Sequence, residues 1–280
     1  MVPLLLGGAA IYGATVGALY LLQEHLLFPR SAAAEPLYRL PAHAERIVLQ
    51  TAEGHRLVGH LIRALGTGRG LVLGFSGNAW NAADCATFLA QRLPDFDLAV
   101  FHYRGYPPSE GEPGEAALFA DAELVHDTLV RGLAPARVYA VGFSLGSGVA
   151  SYLARARPLH GAVLVTPFDS IEAVARRRYP FAPVRLLLKH PFRSDRHLAG
   201  VDLPVAVLVA RDDRVVPRRH SEELLRVLRR PVLYEVLPGD HSGIYDLPEI
   251  DRALRRALDA VERAHAPMEA GERVTLTFDR

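Results

Sequence analysis

Val138-Tyr139-Ala140-Val141-Gly142-Phe143-Ser144-Leu145-Gly146-Ser147-Gly148-Val149 is the stretch on which the reading of this chain turns. Its first four residues carry the β-branched and aromatic signature of a strand, and 149–156 continue as a helical pattern. Between them Gly142-Phe143-Ser144-Leu145-Gly146 matches G-x-S-x-G. A serine lifted above a sheet on a sharp strand-to-helix turn needs small residues two before and two after it, because a side chain there would clash with the turn. The pentapeptide alone also fits an ordinary glycine-rich turn. Flanked by a strand and a helix, it points to Ser144 as a nucleophile, with Ser147 one turn into the helix and less exposed.

Working outward, short apolar runs alternate with longer amphipathic ones. Strands are expected at 46–50, 56–63, 70–75, 98–102, 137–142, 161–166, 205–210 and 232–237, and helices at 82–93, 115–131, 145–157, 219–229 and 247–263. The later strands are near-continuous apolar runs, as expected of strands buried on both faces. This alternation implies an α/β fold with a mostly parallel eight-stranded sheet and helices on both faces. Glu53-Gly54 between the first two strands is a hairpin signal, so the sheet should open antiparallel.

A serine hydroxyl needs a base and a group to orient that base. In chains with this elbow the order is Ser, then an acid, then His. Past the strand at 205–210 come Asp212 and Asp213, on the edge where ligands bind. Spacing to Val216-Pro217 favours Asp213, while Asp212 reads as a turn former. The strand at 232–237 leads into Pro238-Gly239-Asp240-His241-Ser242-Gly243, a loop able to deliver His241 as the base. An oxyanion needs two preorganised donors. The expected pair is the backbone N–H of Leu145 and, from Ser76-Gly77-Asn78-Ala79-Trp80 after an early strand, that of Asn78; a helix-capping role for Asn78 is compatible.

Bulk properties restrict the alternatives. Half of the 280 residues are hydrophobic, enough for a large core. A net charge of +1 gives no reason to expect nucleic acid. The single cysteine, Cys85, excludes an intrachain disulfide, and no histidine cluster has metal spacing; no cofactor is implied.

Residues 1–23 carry no charge and are mostly apolar, enough to span a bilayer as a single-pass anchor. A cleaved signal peptide ending near Ala32-Ala33-Ala34 is the rival; the absence of a preceding Lys or Arg and the length of the run favour the anchor. Arg30 and Arg39 follow the run, which places the catalytic part on the cytoplasmic side. The expected organisation is an anchor at 1–23, a linker at 24–44, a catalytic domain at 45–263 with a short helical insert at 168–201, and a tail at 264–280.

These residues together resemble the membrane-anchored α/β-hydrolase-domain serine hydrolases, the branch containing protein depalmitoylases and monoacylglycerol or lysophospholipid hydrolases. The resemblance runs from about residue 20 to 258 and rests on several segments. They are the 76–79 loop, Tyr103-Arg104-Gly105-Tyr106, Ser109-Glu110-Gly111-Glu112-Pro113, the Ser144 elbow, Thr166-Pro167-Phe168-Asp169-Ser170-Ile171, Asp213 with Val216-Pro217, and His241. It implies Ser144, Asp213 and His241 as a triad acting on acyl esters or thioesters. The chain departs from the family's pattern where His commonly precedes Gly77-Asn78-Ala79 and Gly follows; here these are Ser76 and Trp80. Pro107-Pro108 also replaces a more flexible glycine. Both departures bear on substrate preference.

Trp80 adds bulk near the mouth of the site, and the insert supplies Phe181, Leu186, Leu187, Leu188 and Phe192. Trp80, Phe181 and Leu187 are therefore the candidate substrate contacts. The apolar insert reads equally as an acyl-chain wall or as a helix packed on the core. Arg176-Arg177-Arg178 reads as a solvated face or as a contact for anionic lipid heads. A peptidase on the same scaffold lacks its usual acidic recognition site or gating domain here. A non-catalytic lipid-binding protein would have no need of the Ser, Asp, His order.

Overall fold

The computed structural model describes residues 2–265, the side chains of 2–6 and 265 excepted. The apolar runs become β1 (Ala44–Gln50), β2 (Arg56–Ile62), β3 (Leu71–Phe75), β4 (Asp97–Phe101), β5 (Val138–Phe143), β6 (Gly161–Val165), β7 (Pro204–Ala210) and β8 (Arg230–Leu237). Among the described residues these eight strands form one sheet in the order β1-β2-β4-β3-β5-β6-β7-β8. β2 pairs antiparallel with both β1 and β4, and every other pairing is parallel.

The core explains why the central strands read as unbroken apolar runs. β3, β5, β6 and β7 are buried along their whole length. Alternate residues serve opposite faces: Leu71, Leu73 and Phe75 enter one hydrophobic cluster and Val72 the other. On one face the cluster takes in α3 (Glu115–Leu133) and α4 (Leu145–Ala156). The opposite cluster takes in α2 (Ala82–Arg92) and, across the far half of the sheet, α9 (Pro248–His265). The edge strands β1 and β8 are only half-buried.

The N-terminal run is one continuous helix, α1 (Val2–Leu27), longer than the expected anchor. Among the described residues no helix is long and apolar enough to cross a membrane, which corrects the expectation of a transmembrane span. The reason is composition and contact: Tyr12, Thr15, several glycines, Gln23 and Glu24 dilute the apolar run, and Tyr12, Gln23 and Glu24 bond to the body of the protein. Gln23 Nε2 donates to the Leu187 carbonyl at 3.1 Å, and Lys189 N donates to Gln23 Oε1 at 2.8 Å. Glu24 pairs with Lys189 at 2.8 Å.

The segment after α1 is fastened to the start of α2. Asn81 accepts from Ala83 N at 2.8 Å, capping α2, and its Nδ2 donates to the Ala33 carbonyl at 2.9 Å. The buried carboxylate of Asp84 accepts from Leu37 N at 2.9 Å and Tyr38 N at 2.8 Å. The insert between β6 and β7 contains α5 (Ile171–Arg178), α6 (Val184–Leu187) and α7 (Ser194–Leu198), and α8 (Arg219–Val227) follows β7. Of the expected tail, residues 266–280 lie outside the described residues.

Candidate active site

Parallel pairing brings the carboxyl ends of four strands to one edge. Phe75, the last residue of β3, is paired with Gly142 on β5, so the 76–80 loop and Ser144 leave the sheet at the same level. Ala210 on β7 is paired with Leu237 on β8, which sets the Asp213 and His241 loops side by side. Ligands bind at this edge of open α/β sheets.

The turn at Ser144 is as tight as the motif requires. Ser144 sits at φ 47°, ψ −114°, a conformation that costs a non-glycine residue of order 1–3 kcal/mol and clusters at functional sites. A Cβ on Gly146 would lie 2.1 Å from the Phe75 carbonyl oxygen, and one on Gly142 would lie 2.5 Å from the Gly146 carbonyl oxygen. Neither oxygen can retreat, since both belong to backbone. Glycine at both positions is what lets the turn close.

The candidate acid and base converge on that serine. His241 Nε2 lies 2.9 Å from Ser144 Oγ, and His241 Nδ1 lies 2.6 Å from Asp213 Oδ2. The other carboxylate oxygen, Asp213 Oδ1, accepts from Val215 N at 2.9 Å and Val216 N at 2.8 Å. Asp213 is thereby held in one rotamer, its side chain 2% exposed. Asp212 is exposed and turned away, its N–H donating to the Gly239 carbonyl. Ser147 is buried and donates to the Ser144 carbonyl at 2.6 Å, outside this chain of bonds.

The 76–80 loop runs alongside: a Cβ on Gly77 would come 3.8 Å from Ser144 Cβ. The Asn78 side chain donates to the Leu27 carbonyl at 3.0 Å, so it anchors α1 rather than capping a helix. Bracing of this loop, with Ser76 where a histidine is common, comes from the Tyr103 hydroxyl, which donates to the Ser76 carbonyl at 2.8 Å. Burial pushes the Tyr103 phenol far up, so it stays a proton donor. Its neighbour Arg104 is buried against Asp121 on α3, with Nε 3.1 Å and Nη2 2.5 Å from the two carboxylate oxygens. Leu145 opens α4, where the first backbone N–H groups lack intrahelical acceptors.

Ser144 and His241 open into a cavity of ≈ 890 Å³, a size that holds a ligand of some tens of atoms. Leu187 lines it, together with Leu188, Val184, Ile171 and Val174 of the insert. Trp80 and Phe181 are not among its lining residues. Trp80 packs edge-on against Phe88 and Phe143 at 5.2 Å, behind the elbow. Phe181 is half-exposed, with its carbonyl accepting from the Tyr12 hydroxyl. The insert is thus divided: Leu187 and Leu188 face the cavity, Phe192 is buried in the core against Phe119, and Leu186 is 85% exposed. Arg177 and Arg178 border the cavity.

Two contributors went unread in the sequence. One is α1, whose Val16, Leu19, Tyr20, Leu26 and Leu27 form a wall of the cavity. The apolar residues of α1 recur on every side of the helix, so the sequence carries no periodic sign of which side meets protein. The other is His220, buried at the cavity's edge with Nδ1 2.8 Å from Asp169 Oδ1. Asp169 sits in the Thr166–Ile171 motif already singled out, which was the available signal.

The fold, the elbow and the order of its neighbours define a class: the chain has the alpha/beta hydrolase fold, and the profile described by that name matches its residues 71–186. Over 86% of both chains it is 36% identical to Rv2307c, an uncharacterized protein of Mycobacterium tuberculosis. It is 30% identical to the lysophosphatidylserine lipase ABHD12 of Danio rerio over 46% of this chain and 38% of that one. Among solved structures it resembles an alpha-beta hydrolase from Vibrio vulnificus, with a TM-score of 0.66 at 16% identity, covering 85% of this chain and 92% of that one.

Proposed function

We propose that this protein is a serine hydrolase that cleaves carboxylic ester or thioester bonds of lipid-derived acyl substrates through an acyl-enzyme. The observation that carries the reading is the unbroken line of bonds from Asp213 through His241 to Ser144, ending in a mostly apolar cavity. Ser144 Oγ attacks the acyl carbonyl as His241 Nε2 takes its proton. Asp213 accepts from Nδ1 and stabilises the imidazolium. The N–H groups of Leu145 and Asn78 receive the oxyanion. Collapse of the tetrahedral intermediate breaks the C–O or C–S bond, and His241 returns the proton to the departing alcohol or thiol. Water, activated by the same imidazole, then hydrolyses the acyl-serine and regenerates the hydroxyl.

Distant kinship with a lipase supports acyl esters as the substrate class, and a pocket of this size and lining suits an alkyl chain. We place this work at a membrane surface, on its cytoplasmic side. Exposed Ile11 and Leu22 on α1, with exposed Leu186 on the insert, support contact with lipid. Sedimentation with vesicles tests that part, and protein left wholly in the supernatant rejects it.

The chemistry is tested by labelling with a fluorophosphonate probe, beside Ser144→Ala and His241→Ala. Labelling of the wild type that both substitutions abolish, together with turnover of acyl esters, is the expected result. A folded wild type that neither labels nor turns over any ester overturns the assignment.

A further inference from the structure

Helix α1 is held at three separated places, one on the 76–80 loop and two on the insert. Near its C-terminal end the Leu27 carbonyl accepts from Asn78, in the loop beside Ser144. In the middle Gln23 bonds both to the Leu187 carbonyl and to Lys189 N. Toward the other end the Tyr12 hydroxyl donates to the Phe181 carbonyl at 2.9 Å. Between these fastenings the helix and the insert line one half-open cavity, with Ser144 near the Leu27 end and Val16 farther along α1. Leu21, on the far side of the helix, is 74% exposed and does not line it.

We propose that α1 is the ruler of this site: its side chains at Leu19 and Val16 set the length of acyl chain that the cavity accepts. The proposal rests on the hydrolase reading for its substrate, but not for the cavity itself. From Leu27 back to Val16 the helix covers roughly 16 Å at ~1.5 Å per residue. An extended chain advances ~1.2 Å per bond, so roughly 13 carbons fit along that wall. The Tyr12–Phe181 bond then draws the helix onto the insert one turn beyond Val16, where the cavity ends. Each buried methylene is worth about fourfold in binding, so the limit is a break in a steep series.

The test uses the full chain, with Val16→Trp and Leu19→Trp narrowing the cavity and Leu21→Trp as a control of equal bulk on the same helix. kcat/KM is measured for p-nitrophenyl esters from two to eighteen carbons. Wild type should climb about fourfold per methylene and break near roughly 13 carbons. The break should fall at shorter chains in Val16→Trp and roughly four carbons shorter again in Leu19→Trp, one helical step of three residues nearer the serine. Two-carbon esters and Leu21→Trp should match the wild type. Fatty acids of graded length, titrated calorimetrically into Ser144→Ala with and without each tryptophan, should show the same order of breaks. Ester turnover without that order, or an equal shift in Leu21→Trp, overturns the ruler and leaves the hydrolase. Ordered breaks in binding without turnover by the wild type uphold the ruler and overturn the hydrolase.

Discussion

Replacing Asp213 by asparagine preserves the shape of the side chain but removes its charge and one of its two acceptor oxygens. In the structure both oxygens are in use: Oδ1 accepts from two backbone N–H groups, Val215 and Val216, and Oδ2 accepts from His241 Nδ1. Asparagine has a single oxygen to offer. Turned toward His241, it would set its NH2 against two N–H donors, of which that of Val216 is buried, at about 1–3 kcal/mol for a buried donor left unsatisfied. The opposite orientation therefore wins by at least about 1–3 kcal/mol, and it aims the NH2 at His241. The imidazole answers by accepting at Nδ1 and carrying its proton on Nε2, the atom 2.9 Å from Ser144 Oγ. A protonated Nε2 cannot take the serine's proton. An inverted tautomer of this kind lowers kcat by about 10⁴, or about 5.4 kcal/mol at ~1.36 kcal/mol per decade. The assay is kcat on a short acyl ester, with circular dichroism and a thermal melt to establish that Asp213→Asn is folded. Asp212→Asn is the control, expected within about twofold because its side chain is exposed and surface changes have small effects. A folded Asp213→Asn within tenfold of wild type, or an equal loss in Asp212→Asn, refutes the reasoning.

Three further outcomes follow from the geometry. Gly146→Ala drives a Cβ to 2.1 Å from the Phe75 carbonyl; it should cost ~3 kcal/mol or more in urea unfolding and suppress fluorophosphonate labelling, whereas a wild-type melt would show the turn to be looser than drawn. Asp121→Ala strands the buried Arg104 guanidinium and should cost about 3–5 kcal/mol; a loss under ~1 kcal/mol would mean that Glu53, 3.1 Å away, satisfies Arg104 alone. Burial, reinforced by the neighbouring imidazole of His60 and by Arg46, holds His102 down at about 4. Folded His102 is then neutral while the unfolded residue binds a proton below about 6.5, so this contribution is whole above about pH 6.5 and fades as pH falls toward 4, by up to about 3 kcal/mol. His102→Gln should flatten the fall in unfolding free energy between pH 7 and 4.5, and an unchanged slope rejects the account.

The sheet was legible because strands buried on both faces leave a mark that nothing else in the chain imitates. All eight apolar runs became strands, with ends shifted by a residue or two where the last backbone bond depends on neighbours. The residues that meet at Ser144 were legible because each follows a strand at its carboxyl end, and topology does the rest. The insert was less so. Leu186 and Leu187 are indistinguishable as letters, and α6 has only four residues, too few for a periodic pattern to say which one faces solvent. Trp80 was misread for a similar reason: its bulk was visible, but not the ring of Phe88, Phe143 and Tyr245 that takes it behind the elbow. The N-terminal helix was the largest misreading. Its apolar surface suits lipid and protein equally, and the clues to protein, Gln23 and Glu24, find their partners more than 160 positions away.

The fastening of residues 33–38 onto Asn81 and Asp84 has a mechanical side. The carboxylate of Asp84 is 3% exposed and relies on the N–H groups of Leu37 and Tyr38, so the front of the chain cannot be peeled off without stranding a buried charge. Leu27, at the end of α1, is gripped by Asn78, three residues before Asn81. A load applied to the N-terminal helix therefore enters the body at both ends of the 78–84 stretch, beside the serine. Tension there strains the reactive end of the cavity before it disturbs the far half of the sheet, so the helix works less as a tether than as a lever.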